Sequence, residues 1–417
     1  MNYTDLEQGL MDAMSRWQII DCHEHLSPEA ERTGKQVDVF TLFSHYTHGD
    51  LLTAGMTELE YQSLFNRDVP LETRWKTFAP HWENIRYTSY SRSVLITARK
   101  FYGIDDLTAD TCRPLSQRIQ AANTPGLYTR VLRDACGIRL ALTQCGRTQL
   151  NSDLLVPLMP LIYEQELGKR NTLTHPSFEA GAEIRSLDDY LAAVQRYVVR
   201  MKAEGAVGLK WIARPCPPPS RPDADAAFRS VMDGKELETT WWPEFPHLNP
   251  LATYVADWAI KVATEHDLVI AIHTGYWGDF RKLNPVHIIP FLQGHPKARF
   301  DIYHLGYPWL REAIMLGKGF PNVWLNLCWT HIISQKFAMD GVDEIIDTVP
   351  ANKVLAFGGD YGDPVEKIYG HLTMAREDMA RVFARRISEG RMTEAQALNM
   401  AHKWFWENPR ELYRLKV

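Results

Sequence analysis

Eight strand-like apolar runs that alternate with helical stretches constrain the fold of this 417-residue chain more than any other feature. The intervening segments 187–203, 251–266 and 309–316 carry apolar residues at helical intervals. Such alternation predicts right-handed parallel crossovers, and eight units of this kind close into a (β/α)8, or TIM, barrel. A doubly wound open sheet is the alternative, but no glycine-rich phosphate loop follows the first strand. The predicted strands are 17–22, 138–145, 154–161, 207–212, 268–273, 298–304, 322–328 and 353–360.

Residues 1–417 are predicted to form a single barrel domain, and the segments outside the eight units are predicted to be insertions and extensions of it. Residues from about 27 to 126 show no strand alternation, and we interpret them as a mostly helical insertion after the first strand. The segment 213–250 is rich in proline and is predicted to be neither helix nor strand but a loop over the catalytic face, either a solvated surface loop or an active-site lid. The C-terminal stretch 365–417 is predicted to form two amphipathic helices joined at Gly390.

Composition and charge favour a protein that acts on small molecules. The formal net charge is −5 and no basic block stands out, which argues against nucleic acid or an anionic membrane as a partner. No apolar stretch approaches the roughly 20 residues of a membrane span, and residues 1–9 lack the order of a signal peptide. The six cysteines show no CxxC pairing, so we expect a reducing compartment, the cytoplasm. Whether the chain forms a homo-oligomer is left open.

Ligand-type side chains stand at the ends of four of the predicted strands. His23 and His25 are two residues apart at the end of the first, so their side chains should project to the same side. Two converging imidazoles are what a divalent ion such as zinc needs from its first ligands. His273, His304 and Asp360 end the fifth, sixth and eighth predicted strands. TIM-barrel active sites form at these strand ends, so the pattern predicts a metal site there.

This ordered set resembles the amidohydrolase superfamily of metal-dependent TIM barrels, and the resemblance covers nearly the whole chain. It implies that a divalent ion, zinc first and manganese as the alternative, is bound by His23, His25, His273 and Asp360. It also implies two catalytic residues. Asp360 would accept a proton from the nucleophilic water, and His304 would polarise the substrate or complete the metal shell.

Within the superfamily the layout is most similar to the uronate isomerase branch. The shared features are His45-Tyr46, Gly55-Met56, Trp82, Tyr102-Gly103-Ile104 and Trp329. The sequence departs from that branch after the eighth strand, where uronate isomerases have Asp-Ser-Arg and this chain has Asp360-Tyr361-Gly362. The missing arginine is expected to help hold a sugar carboxylate.

Five residues are candidates for substrate binding: Lys210, Arg86, Arg92, Trp329 and His45. The two arginines, interpreted as a turn and a half apart on one inserted helix, could clamp an anion. In binuclear relatives a lysine on the fourth strand is carbamylated, whereas Lys210 could instead pair with a carboxylate or contact substrate.

The resulting hypothesis is a mononuclear metal-dependent hydrolase of a small polar amide, lactone or ester, with a carboxylate on the substrate left open. Isomerisation of a sugar acid, metal-assisted decarboxylation and a non-catalytic binding barrel are the alternatives.

Overall fold

The sheet is the framework of the molecule, and the computed structural model describes it within residues 3–212, 214–237 and 249–417. Eight strands, all parallel to their neighbours, follow one another around the sheet in sequence order. This order confirms the predicted (β/α)8 barrel and rules out the doubly wound alternative, in which the strand order reverses. The strands are β1 (Ile19–Glu24), β2 (Ile138–Thr143), β3 (Leu155–Pro160), β4 (Gly208–Ile212), β5 (Val269–His273), β6 (Arg299–Ile302), β7 (Val323–Asn326) and β8 (Val354–Leu355).

The barrel closes between β1 and the chain that follows β8. Strand β8 is only two residues long, but backbone hydrogen bonds continue beyond it. The Cys22 amide donates to the Phe357 carbonyl at 3.0 Å, and the Asp360 amide to the His23 carbonyl at 2.8 Å. The His25 amide donates to the Tyr361 carbonyl at 2.8 Å. These bonds hold the histidine pair of β1 against the segment that carries Asp360.

The insertion after β1 is helical, as predicted. Helix α1 (Tyr3–Ser15) precedes β1. Threonine side chains that accept hydrogen bonds from the first-turn amides begin the fourth, sixth and seventh helices. The inserted segment packs a core of its own, which includes Val39, Phe78, Trp82 and Leu115. Its helices are α2 (Glu29–Thr33), α3 (Thr47–Thr53), α4 (Glu58–Ser63), α5 (Leu71–Ile85), α6 (Ser89–Tyr102) and α7 (Ala109–Ala122).

The remaining helices lie between the later strands and beyond β8. The predicted break at Gly390 is confirmed, since Gly390 adopts a left-handed φ of 70° between two C-terminal helices. The predicted number of two helices in 365–417 was wrong, because a third, Asn408–Leu412, follows them. The remaining helices are α8 (Arg170–Thr174), α9 (Leu187–Ala203), α10 (Arg221–Met232), α11 (Pro250–Glu265), α12 (Ile289–Gly294), α13 (Leu310–Gly319), α14 (Thr330–Ile333), α15 (Gln335–Thr348), α16 (Lys367–Ser388), α17 (Glu394–His402) and α18 (Asn408–Leu412).

The prediction that 213–250 contains no regular helix was wrong for α10. The Ser220 side chain caps this helix by accepting from the Asp223 amide, and Pro222 lies in the first turn. A proline there removes no helical hydrogen bond, because first-turn amides have no partner within the helix. Residues 213 and 238–248 of the predicted loop lie outside the described residues.

The barrel interior is filled from both the strands and the C-terminus. Leu412 and Tyr413 pack with Ile20, Leu158 and Val269 in one buried cluster. The Tyr413 hydroxyl also donates to the Asp301 carboxylate at 2.6 Å. The C-terminal segment therefore packs into the barrel and fills part of its interior. In the described part of the chain, no helix combines the length and apolar character that a membrane crossing requires.

Gly359 is a position where a single methyl group should damage the fold. A Cβ built there would lie 2.0 Å from Glu24 Oε1 and 3.2 Å from Ile368. We expect Gly359→Ala to lower the free energy of unfolding by about 1–3 kcal/mol, as overpacking in other proteins does. Gly9→Ala is the control, because Gly9 lies in α1 with no atom within 4 Å of its would-be Cβ. That change should raise stability by up to about 1 kcal/mol. Urea unfolding of both variants checks this, and equal stabilities would contradict it.

Candidate metal centre

Strand β1 brings its two histidines together, as the spacing predicts. The His23 and His25 ring centroids lie 4.7 Å apart. His23 Nε2 is 3.0 Å from Asp360 Oδ1, and His25 Nε2 is 3.2 Å from the same oxygen. His23 and Asp360 are buried, whereas the His25 side chain is 38% exposed. These three side chains form one group, called the metal-ligand group below, whose ligand atoms all lie within 4.8 Å of one another.

Asp360 reaches this position because its backbone leaves the extended conformation. Its φ is 62°, in the left-handed region, where a non-glycine residue costs about 1–3 kcal/mol. Gly358 precedes it without a side chain, and a Cβ there would lie 2.6 Å from Cys328 Cβ. The predicted strand up to Asp360 was wrong for residues 356–360, because β8 ends at Leu355 and the left-handed φ of Asp360 does not fit an extended strand.

The tautomer of His25 leaves a lone pair facing a carboxylate. His25 Nδ1 is 2.9 Å from the Gln144 carbonyl oxygen, which can only accept, so Nδ1 must carry a proton. In the neutral ring Nε2 then has a lone pair, and this lone pair faces Asp360 Oδ1. Two electron-rich atoms at that distance repel each other unless a cation or a proton lies between them.

The ring protons of His304 and His273 can be assigned in the same way. His304 Nδ1 is 3.2 Å from the Cys328 carbonyl oxygen, and its Nε2 is 2.9 Å from His273 Nδ1. If His304 donates to the carbonyl, its Nε2 accepts from His273 Nδ1. His273 Nε2 is then an unprotonated nitrogen, and it is buried with no hydrogen-bond partner among the described residues. His273 therefore offers a ligand nitrogen, although it lies outside the tight group of three.

This arrangement gives His304 a second role beside the one that the sequence suggests. Both of its ring nitrogens are occupied, one by the Cys328 carbonyl and the other by His273. In this geometry His304 orients His273 and has no nitrogen left for a substrate. Its predicted action on a substrate stays a prediction.

The amine of Lys210 lies beside the two histidines and Asp360. Its Nζ lies 3.1 Å from His23 Nε2 and 3.9 Å from the centre of the Tyr303 ring. The residue is only 8% exposed. Burial lowers the pKa of its amine from 10.5 to about 8, since the charged form loses hydration. The lysine is therefore still largely charged at neutral pH, next to a histidine that is a candidate ligand.

The remaining ionisable groups have the charges that a metal site needs. Burial lowers the pKa of His273 to about 3 and that of His23 and His304 well below 6.5. These imidazoles are neutral and able to coordinate at neutral pH. Burial alone would raise the pKa of Asp360, but His23 and His25, which can donate to this carboxylate once they are protonated in acid, hold it well below 3.8. Its carboxylate is therefore ionised.

Two of the predicted substrate-binding residues, Trp329 and His45, lie beside the group. Trp329 has a left-handed φ of 61°, and its ring centroid is 5.5 Å from that of His304. The His45 ring lies 6.4 Å from His25 and is exposed. Next to it, the Tyr46 hydroxyl faces Asp360, and burial together with this carboxylate raises the pKa of that hydroxyl well above 10.

The prediction that Arg86 and Arg92 share a helix was wrong. Arg86 follows the end of α5, whereas Arg92 lies in α6. The Thr88 side chain begins α6 by accepting from the Ser91 amide, so the two helices are separate. Each arginine also has a carboxylate partner already. These partners are Glu83 and Asp106 for Arg86, and Glu377 for Arg92.

Three residues at the group had not been assigned a role from the sequence: Asp21, Glu24 and Tyr46. The first two are fully buried acids in β1. Carboxylic acids inside an apolar strand are rare, and this was the available signal. Tyr46 entered only as part of the resemblance to uronate isomerases, because nothing in the sequence shows that its loop folds back onto Asp360.

The fold and the site together define a class of protein. It is a (β/α)8 barrel in which imidazoles and a carboxylate converge at the strand ends to form a candidate metal site. The amidohydrolase family model matches residues 182–415, more than half of the chain. The chain belongs to the amidohydrolase family.

Solved structures agree with this assignment at the level of the fold. Glucuronate isomerase from Caulobacter crescentus has a TM-score of 0.79 at 19% identity, covering 100% of this chain and 95% of that one. Uronate isomerase from Thermotoga maritima has a TM-score of 0.78 at 13% identity, covering 98% and 97%. A Lactobacillus casei protein proposed to be a metal-dependent hydrolase has a TM-score of 0.68 at 18% identity, covering 98% and 99%.

One curated relative matches a part of the sequence. It is the fluG protein of Emericella nidulans, which is 28% identical over 162 residues. The match covers 38% of this chain and 18% of fluG. The chain thus corresponds to less than a fifth of that relative's length.

Proposed function

We propose that this protein is a metal-dependent hydrolase that cleaves an amide, lactone or ester of a small polar, carboxylated molecule. The observation that carries the proposal is that the unprotonated Nε2 of His25 faces the ionised Oδ1 of Asp360. The facing nitrogens of His23 and His25 lie within 3.2 Å of that ionised oxygen. A divalent cation converts this repulsion into coordination.

The donor set fits such an ion. Ligand atoms around a tetrahedral zinc ion with bonds of about 2.1 Å are separated by about 3.4 Å, and the two nitrogen–oxygen distances here are 3.0 and 3.2 Å. Imidazole nitrogen and carboxylate oxygen are ligands that suit zinc, with manganese as the alternative. His273 would supply a further nitrogen. The hydrogen bond from His25 to the Gln144 carbonyl is the outer contact that commonly fixes a ligand histidine.

The ion would supply Lewis acidity, which acidifies water and polarises a substrate carbonyl. Asp360 would act as the general base, because its carboxylate is ionised and buried beside the reacting position. Its Oδ1 faces the histidines, so Oδ2, which lies 3.8 Å from His304 Nδ1, would be the oxygen that accepts the proton. Trp329 and His45 would flank the substrate.

Isomerisation of a uronate is the second candidate. The contact between the Tyr46 hydroxyl and Asp360 favours it, since an acid and a base side by side can move a proton between two carbons. The whole-chain similarity to two uronate isomerases supports it as well. Against it, Gly362 takes the place of the arginine expected to hold the sugar carboxylate. Arg86 and Arg92, which could replace that arginine, are paired with other carboxylates.

Isotope incorporation separates the two reactions. The zinc- or manganese-loaded protein is incubated with small lactones, amides and esters of carboxylic acids, and in parallel with glucuronate. Hydrolysis in ¹⁸O-labelled water places the label in the product acid. Isomerisation conserves mass in that solvent but can exchange a carbon-bound hydrogen in deuterium oxide. Label in a product acid supports the proposal, whereas conversion of glucuronate alone, without ¹⁸O uptake, would replace it with the isomerase.

Lys210 should make metal binding depend on pH. Below its pKa of about 8, the ammonium group next to His23 repels a cation. Zinc affinity should therefore rise with pH, by up to about tenfold per unit for one released proton, and level off above about pH 8. In Lys210→Met the dependence should be flatter, and affinity at low pH should be higher than in the wild type. Competition with a chromophoric chelator measures this.

An identical pH dependence in wild type and Lys210→Met would show that the lysine does not oppose the metal. Added bicarbonate should change neither metal content nor affinity if the site is mononuclear. Two zinc ions per chain that require bicarbonate would instead establish the carbamylated, binuclear alternative.

A further inference from the structure

The backbone that carries Asp360 is held by two acids of β1 that take no part in the proposed chemistry. Asp21 Oδ1 accepts a hydrogen bond from the Gly359 amide at 3.3 Å. Glu24 Oε2 accepts one from the Tyr361 amide at 2.7 Å. The amide between them, that of Asp360, donates to the His23 carbonyl at 2.8 Å. Three consecutive amides are thus bound by β1.

An irregularity in β1 lets both acids reach this segment. On a regular strand, side chains three residues apart point to opposite faces. Between Asp21 and Glu24 the register with β2 shifts, since their partners Ala141 and Thr143 are only two residues apart. This extra residue is a β-bulge, a feature that re-aims side chains and is frequent next to active sites.

The carboxyl group of Glu24 packs tightly against the backbone of Gly359. Asp21 and Glu24 are both 0% exposed, and the protonated Glu24 carboxyl group donates to Asp21, since burial raises the pKa of Glu24 well above 4.5. A Cβ on Gly359 would lie 2.0 Å from Glu24 Oε1, so the glycine admits the carboxyl group against the backbone. Buried acids are costly unless their hydrogen bonds are satisfied. Here Asp21 Oδ1 and Glu24 Oε2 accept from the two residues that flank Asp360, and Asp21 Oδ1 also accepts from the His23 amide at 3.1 Å.

We propose that Asp21 and Glu24 are positioning residues, which fix the left-handed backbone of Asp360 so that its carboxylate meets His23 and His25. The inference rests on the proposed function, because it treats Asp360 as a metal ligand. It assigns to the acid pair the role of outer contacts, whose loss in other proteins lowers metal affinity by about 10- to 100-fold.

Zinc affinity of Glu24 variants tests this role. Glu24→Ala removes the acceptor of the Tyr361 amide, and Glu24→Asp keeps the carboxyl group but shortens its reach. Both should lower zinc affinity by about 10- to 100-fold. Glu24→Gln keeps an oxygen acceptor and offers an N–H to Asp21, so its affinity should stay close to that of the wild type. If the alanine variant does not fold, the comparison of Asp with Gln carries the test.

Asp378→Asn is the matched control. Asp378 is also fully buried and accepts from His331 Nδ1 at 2.9 Å and from Gln335 at 2.7 Å, so these hydrogen bonds go to two side chains and not to the amides of residues 359–361. It should lower the thermal unfolding temperature without changing zinc affinity. Unchanged affinity in Glu24→Ala and Glu24→Asp would overturn the positioning role, and so would an equal loss in Asp378→Asn. A wild-type protein that binds no zinc would instead refute the proposed function and this inference with it.

Discussion

Replacing Asp360 with Asn is expected to lower turnover by at least about 100-fold, even at full metal loading. The amide keeps the size of the side chain and one oxygen that can coordinate, but it cannot accept a proton. In the wild type the facing histidines hold the pKa of Asp360 well below 3.8, so the base is ready at neutral pH. Turnover, normalised to bound metal, is the measurement.

The pH profile of the wild type should show the same group. Turnover should fall toward acid pH as Asp360 and the ligand histidines take up protons. It should not change with pH where Asp360 is ionised and the histidines are neutral. Asp363→Asn is the control, since Asp363 is an exposed carboxylate that pairs with Lys35. An Asp360→Asn protein with full metal and turnover within a few-fold of Asp363→Asn would show that the base lies elsewhere.

Replacing His25 with Ala should have the largest effect on metal binding. His25 contributes one of two imidazole nitrogens in the group, and its Nδ1 is already fixed by the Gln144 carbonyl. Zinc affinity should fall by more than the roughly 10- to 100-fold typical of outer contacts, because a direct ligand is lost. His48→Ala is the control, since His48 pairs with Glu58 in the insertion. Equal affinities of the two variants would remove His25 from the site.

The fold could be predicted from the sequence because its signals are local. Each apolar run of strand length appears as one of the eight strands, and the glycine after Tyr102 ends α6 as expected. The exception was α10, where the density of prolines hid a helix whose only proline stands in the first turn. The same density cannot distinguish a proline that precedes a helix from one that breaks it.

The candidate site could be predicted in its residue types but not in its geometry. The spacing of His23 and His25 fixes their common direction, because strand side chains alternate. The left-handed turns at Asp360 and His304 depend on contacts with other strands, so no local pattern shows them. The contact of His304 with His273 and the hydrogen bonds from residues 359–361 to the acids of β1 likewise join distant parts of the chain.

The separation of Arg86 from Arg92 has a different cause. Periodicity suggested one continuous helix, but the capping side chain of Thr88 begins a new one. A threonine before a run of polar residues is only a weak sign of a helix start, so the sequence does not show the break between the two arginines. The substrate clamp built on those two arginines therefore lost its geometric basis, and each guanidinium has a carboxylate of its own.

Anomalous diffraction from crystals of the zinc-loaded protein tests the central claim most directly. The account predicts one strong peak per chain in contact with His23 Nε2, His25 Nε2 and a carboxylate oxygen of Asp360, with His273 Nε2 turned toward it. Lys210 should have moved away from His23 in that structure. A loaded protein with no peak at these residues, or with its zinc bound elsewhere, would contradict the assignment of this group as a metal centre.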